Sequence, residues 1–169
     1  MNRHPGGEEH TRRMMELAGL PAGAKILDAG AGDGETLQYL LALQYDARGI
    51  DLAPGNDCVD QGSFLHMPYS DGSFDGIISQ CAFYSGGDVK GAIREAYRVL
   101  KKGGVLMLSD VSFESLSDLA EKTGFKIQHH EDLTEEWREY YFEALWRGEL
   151  EYCPGSGRCT YEMLICRKG

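Results

Sequence analysis

The stretch Lys25-Ile26-Leu27-Asp28-Ala29-Gly30-Ala31-Gly32-Asp33-Gly34-Glu35-Thr36 limits the fold of this chain more than any other. A short apolar run ends in a carboxylate and passes into three glycines at alternate positions. Behind them Leu37, Leu40 and Leu41 recur at the spacing of a helix with one buried face. A strand, a glycine turn and a helix bring bare main chain to a helix N-terminus, where a ligand can lie against it. Taken alone, the same residues would also serve as a tight turn with no ligand. The turn reads Gly-x-Gly-x-Gly, and Glu35 stands where a dinucleotide fingerprint needs its last glycine. That difference turns the reading from NAD toward another adenosine-bearing ligand.

The rest of the chain repeats the alternation. Glu8 to Leu20 forms a leading helix that stops before Pro21, followed by strand one (Lys25 to Asp28) and a helix to about Gln44. Ala47 to Leu52 reads as strand two, Gln61 to Phe64 as a short third piece, and Phe74 to Gln80 as strand four. Asp88 caps a helix built on Val89, Ala92, Ile93, Ala96, Tyr97 and Leu100, which Gly103 and Gly104 end. Strand five is Val105 to Asp110. A helix from Glu114 to Lys122 follows, then strand six, Phe125 to His130. Asp132 and Glu135 have the spacing of a reciprocal helix cap, opening a helix that presents Trp137, Tyr140, Tyr141, Ala144 and Leu145 on one face. Thr160 to Arg167 is the last strand. Strands separated by helices predict an α/β, three-layer domain with a mostly parallel seven-stranded sheet and an antiparallel last strand. With 169 residues and no linker or repeat, residues 1–169 are expected to form one domain.

Charge and composition exclude several function classes. A formal charge of −10 argues against nucleic acid as the main partner, because phosphate binding needs a basic surface. The longest basic run, Lys101-Lys102, reads as a helix end. No apolar stretch approaches a signal peptide core or a membrane span, so the expectation is a cytoplasmic protein without membrane insertion. An odd number of cysteines, five, then reads as reduced thiols.

Two carboxylates at the ends of adjacent strands, Asp28 and Asp51, face the crevice where such sheets bind ligands. Asp51 lies about twenty residues past the first glycine, the position from which an acid accepts hydrogen bonds from ribose hydroxyls. Asp28 beside the glycine turn repels a pyrophosphate and favours a cation. A sulfonium with an amino-acid ammonium fits that field.

These residues resemble the class I S-adenosylmethionine-dependent methyltransferases, in particular the small-molecule type similar to quinone-biosynthesis enzymes. The resemblance covers about residues 20–111 and resumes more weakly in the last strand. Leu27 to Gly34 looks like the family's first motif and Gly49-Ile50-Asp51-Leu52 like its ribose-binding motif. Gly62-Ser63-Phe64, Met67-Pro68-Tyr69 and Ser73-Phe74-Asp75 are similar to its adenine-side loop and fourth strand. Arg94 through Gly104 looks like the helix and turn before its fifth strand. The resemblance implies a Rossmann-like fold with S-adenosyl-L-methionine as cofactor, held by Asp28, Ala29, Gly30, Gly32, Gly34, Asp51, Leu52, Gly62, Ser63, Phe64 and Gln80. It implies in-line methyl transfer to a small or partner-presented acceptor, with no metal required and no catalytic base selected. Two departures stand out: Ser63 replaces an Asp that often accepts from adenine, and only about a dozen residues follow Asp110 where relatives insert a substrate-covering subdomain.

The acceptor side is read from Gln80 to Tyr84 after strand four, and from Asp110, His130 and Trp137. His66, His129 and His130 could serve as bases, although most lone histidines are structural. Phe142 and Trp146 form a second aromatic stripe, which suggests a substrate wall or a homodimer or partner face against the simpler reading of a helix packed on the sheet. Cys153 and Cys159 bracket a glycine-rich turn. They read as two thiols at a turn, or as ligands for a metal or metalloid in a thiol or metalloid methyltransferase. Cys81 and Cys166 read as core residues. The rival of another class is a non-catalytic methyltransferase-like scaffold subunit.

Overall fold

The computed structural model describes residues 5–148 and 159–169. Seven strands lie in the order β3-β2-β1-β4-β5-β7-β6. They are β1 (Lys25–Ala29), β2 (Asp46–Asp51), β3 (Val59–Gln61), β4 (Phe74–Gln80), β5 (Leu100–Ser112), β6 (Phe125–Asp132) and β7 (Thr160–Lys168). The strands β3, β2, β1, β4 and β5 pair in parallel, whereas β7 is antiparallel to both β5 and β6. The α/β architecture expected from the alternation is the one observed.

Among the described residues five α-helices cover the sheet: α1 (Gly7–Ala18), α2 (Glu35–Ala42), α3 (Val89–Val99), α4 (Leu116–Thr123) and α5 (Thr134–Trp146). Successive strand residues point to opposite faces, and here both faces are covered. Leu27, Ile77, Leu106, Leu108 and Leu164 pack against Ala92, Ile93 and Ala96 of α3 and Leu116 and Leu119 of α4. Their neighbours Ile26, Ile78, Met107 and Ile165 pack on the other face against Met14 and Met15 of α1, Leu40 of α2 and Trp137 of α5. This explains why these strands are apolar runs rather than alternating ones. Among the described residues no helix is long and apolar enough to cross a membrane.

Four local readings change. Lys101 to Gly104 belong to β5 rather than to the end of a helix: Leu100 is already extended and pairs with Phe74, and the register shifts by a bulge before Gly76 meets Val105. The Lys101 ammonium is held by Asp75 at 2.7 Å, an ion pair that local helix periodicity does not reveal. The third strand lies at Val59–Gln61, so Gly62, Ser63 and Phe64 form the loop beyond it. The helix after the glycine turn ends at Ala42, and Gln44 takes a left-handed turn into β2. Asp132 accepts from the Thr134 backbone N–H, whereas Glu135 turns outward to Arg138, so the reciprocal cap does not form.

Candidate cofactor cleft

The site is built where β1 and β2 end side by side. The Gly30 and Ala31 N–H groups both donate to the Ile50 carbonyl (2.9 and 3.1 Å), which ties the glycine turn to β2. Gly30 has φ +86, and a Cβ there would overlap that of Ala82 in the loop after β4. Gly32, at φ +55, faces open space, so its main chain is the bare surface that the sequence predicts.

Asp51 closes the turn from the other side. Its Oδ2 accepts from the Gly32 N–H and its Oδ1 from the Ala53 N–H, both at 2.9 Å. Each oxygen keeps a lone pair for a further donor. Asp28 is buried at 4% exposure, and its Oδ2 has no partner among the described residues. Burial, and then the negative charge of Asp51, push its pKa up to about 7, with the Leu37 backbone N–H opposing them. A buried carboxylate oxygen without a partner is costly, and a cationic donor would satisfy it.

Gln80, at the end of β4, carries a second unpartnered atom. Its Oε1 accepts from the hydroxyls of Thr11 and Thr36, each at 3.2 Å, while its Nε2 is shielded from solvent without a partner among the described residues. Asp28 and Gln80 line the same cavity of about 170 Å³, together with Gly32 and Thr36. A second cavity of about 190 Å³ is lined by Asp51, Leu52, Phe64 and Ala82. Gly30 and Cys81 line both, so the two cavities form one cleft over the ends of β1, β2 and β4. Phe64 is pressed between Phe83, at 5.1 Å between ring centroids, and the backbone of Gly86, and Leu52 stands opposite at 61% exposure.

Other predicted residues support the cleft without lining it. Ala29 is fully buried and its carbonyl accepts from Ser79 Oγ at 2.7 Å. The Gly62 N–H donates to the Asp51 carbonyl, and the Ser63 hydroxyl accepts from the Leu65 N–H at 3.1 Å. Gly34 turns the chain into α2 with φ +83 and packs against Asn56.

The residues read for the acceptor side do not converge. Asp110 is buried, and its carboxylate binds the N–H groups of Tyr84 (3.1 Å) and Val111 (2.7 Å), with those of Phe83 and Ala82 near. It anchors the loop that walls the cleft rather than facing a substrate. Burial pushes its pKa up to about 6 despite those N–H groups. Tyr84 pairs with Phe113 (5.9 Å between ring centroids) at a separate cavity beside α3 and α4. His130 lies on the edge strand β6, its Nε2 3.0 Å from Glu162, three strands removed from β4. Trp137 is fully buried and stacked on Tyr161, so it is a core residue rather than a substrate wall.

Cys81, a core residue by its sequence pattern, lines both cavities and meets the Tyr161 hydroxyl at 3.4 Å. Burial pushes its thiol up to about 12. Cys153 lies outside the described residues. Cys159 is buried, directly before the antiparallel β7 and so at the cleft end of the sheet. Among the described residues no group of three His, Cys, Asp or Glu is placed to hold a metal ion. Thr11 and Thr36 escaped the sequence reading, because nothing in a helical pattern says which threonine will meet a glutamine 69 or 44 positions away.

A doubly wound sheet with a glycine turn and an acid at the end of the second strand defines an α/β nucleoside-binding domain. Residues 27–108 match the family model described as a methyltransferase domain. The chain is 32% identical over 134 residues to malonyl-[acyl-carrier protein] O-methyltransferase of Erwinia billingiae, covering 70% of this chain and 52% of that protein. It is 32% identical over 124 residues to ribosomal RNA-processing protein 8 of Caenorhabditis elegans, covering 70% and 36%. Phosphoethanolamine N-methyltransferase 2 of Haemonchus contortus, solved with phosphomonomethylethanolamine and S-adenosylhomocysteine, superposes with a TM-score of 0.79 at 17% identity, covering 98% of this chain and 54% of that one. The chain thus spans about half, or about a third, of the length of these relatives. Residues 27–108 match a methyltransferase domain, and in fold the chain is similar to S-adenosylmethionine-dependent methyltransferases.

Proposed function

We propose that residues 1–169 act as one S-adenosylmethionine-dependent methyltransferase domain, cytoplasmic, that methylates a small or partner-presented acceptor. The observation that carries this reading is a pair of buried atoms without a partner among the described residues, Asp28 Oδ2 and Gln80 Nε2, on two residues that line one cavity with Gly32. One is an acceptor beside negative charge and the other a donor, which complements an ammonium and a carboxylate on one amino-acid tail.

In this reading Asp28 holds the ammonium, the free lone pairs of Asp51 accept the ribose hydroxyls, and Leu52 and Phe64 flank the adenine. When bound, S-adenosylmethionine supplies a methyl group on a sulfonium whose departure leaves a neutral sulfide. The chain's own task is then positioning and exclusion of water, with a base needed only if the acceptor must lose a proton. Asp110 contributes by fixing residues 82–84, the wall of the cleft beyond Cys81. A relative named for a carrier-borne acid and a neighbour solved with a phosphoamine support a small or partner-presented acceptor without selecting one, whereas the ribosomal RNA-processing relative names RNA. The charge of −10 supports the same choice over nucleic acid.

Release of S-adenosylhomocysteine from S-adenosylmethionine in the presence of small-molecule cell extract tests the reading; a scaffold subunit would release none. Phe142 and Trp146 on α5 are 63% and 94% exposed, which supports a second copy or a partner on that face. A concentration-independent monomer mass in light scattering would remove the second copy.

A further inference from the structure

The Gln80 side chain is held from two helices. Thr11, 2% exposed on α1, and Thr36, in the first turn of α2, both reach Oε1. An amide has two ends, and which one faces the cleft decides which ligand group it can bind. Thr36 donates to Oε1, and the Thr11 hydroxyl lies nearer Oε1 (3.2 Å) than the Gly7 carbonyl (3.4 Å), so the buried N–H₂ end is left without a partner among the described residues on a side chain that lines the same cavity as Asp28. Thr11 and Thr36 also line a neighbouring cavity of about 370 Å³ between α1 and α2, so the clasp forms the partition between the two spaces.

We propose that Thr11 and Thr36 are positioning residues that fix the Gln80 amide so that its N–H₂ binds the carboxylate of the cofactor's amino-acid tail, which makes α1 part of the cofactor site. The inference rests on the reading of this cleft as an S-adenosylmethionine site and adds a recognition element to it. Asp28 in the ionised form that attracts the ammonium repels that carboxylate, and the Gly32 N–H is already drawn to Asp51. A hydrogen bond to a charged group is worth enough for roughly a tenfold or larger discrimination against a ligand that lacks it.

The test compares three probes by calorimetry: S-adenosylmethionine, its decarboxylated form, and 5′-methylthioadenosine, which has no amino-acid tail. The chain should prefer S-adenosylmethionine over the decarboxylated form by about tenfold or more. The double variant Thr11→Val and Thr36→Val should cut that preference at least about threefold, while 5′-methylthioadenosine binding stays within about twofold. Thr→Ser at both positions should restore the preference. Gln80→Glu, which keeps both threonines, should weaken S-adenosylmethionine by at least about tenfold through repulsion of the two carboxylates, again sparing 5′-methylthioadenosine. The proposal is overturned if the double Val variant keeps the full preference, if the Ser variant fails to restore it, if Gln80→Glu binds normally, or if 5′-methylthioadenosine is lost in parallel. Failure of the unaltered chain to bind any of the three would instead overturn the cofactor reading itself.

Discussion

Asp51 does two jobs with one carboxylate. Its bonds to Gly32 N–H and Ala53 N–H set the turn, and its remaining lone pairs face the cleft. Asp51→Ala should therefore weaken S-adenosylmethionine by at least about tenfold in calorimetry, since it removes charge-assisted bonds and loosens the glycine turn together. Asp28 gives a pH signature. Only its ionised form attracts the ammonium, and its pKa is about 7 before the ligand arrives. Affinity should rise as pH rises from about 6 to 8, by up to about tenfold per pH unit below the pKa, and Asp28→Asn should bind weakly with little pH dependence. An affinity that falls over this range would contradict the role.

At the scale of elements, the loop after β4 is the part on which the cleft depends most. It is pinned by Asp110 beneath and by Gly30 alongside. Gly30→Ala would place a methyl group where Ala82 stands, on a backbone at φ +86, and should cost about 1–3 kcal/mol in denaturant unfolding while weakening cofactor binding. Trp137→Ala should cost about 3–5 kcal/mol, because the ring is fully buried between Tyr141 and Tyr161. A loss below 1 kcal/mol would show that α5 is not part of the core.

The elements that were legible in sequence are those whose pattern is local. The strand β4, the Asp88 cap of α3 and the turn Asp28 to Gly34 carry their own signals of periodicity, capping and glycine. Lys101 to Gly104 misled because strand or helix there is decided by pairing with Phe74 and Asp75, not by neighbours in sequence. The site split the same way. Asp28 and Asp51 were readable because each ends a strand, whereas the clasp on Gln80 joins α1, β4 and α2 and exists only after folding. Trp137, Asp110 and His130 were chemically able to serve an acceptor, but burial, backbone bonding and an edge position commit them elsewhere.

For the whole molecule, two buried carboxylates make the ligand-free protein sensitive to pH. Burial holds the pKa values of Asp28 and Asp110 at about 7 and about 6 in the folded protein, above the ordinary aspartate range. The unfolded state thus releases their protons first. Their contribution is full below about pH 4 and is lost as pH rises through about 6 to 7. The depressed carboxylates Asp75, Glu95 and Asp132 act in the opposite sense, but at lower pH, where they lose their stabilisation on acidification. The melting temperature should therefore fall between about pH 4 and 7 and level off above, with a shallower slope in Asp28→Asn. An equal slope in that variant would show that Asp28 is not the group titrating. S-adenosylmethionine should offset the fall, since a cation supplies the partner that Asp28 lacks.

The central claim is that two aspartates, an oriented glutamine and the exposed backbone of Gly32 make a site for a cationic nucleoside with an amino-acid tail. Titration of the purified chain with S-adenosylmethionine at neutral pH addresses it most directly. The account predicts saturable one-to-one binding well below about 1 mM. An absence of binding heat and of thermal stabilisation at that concentration would contradict it.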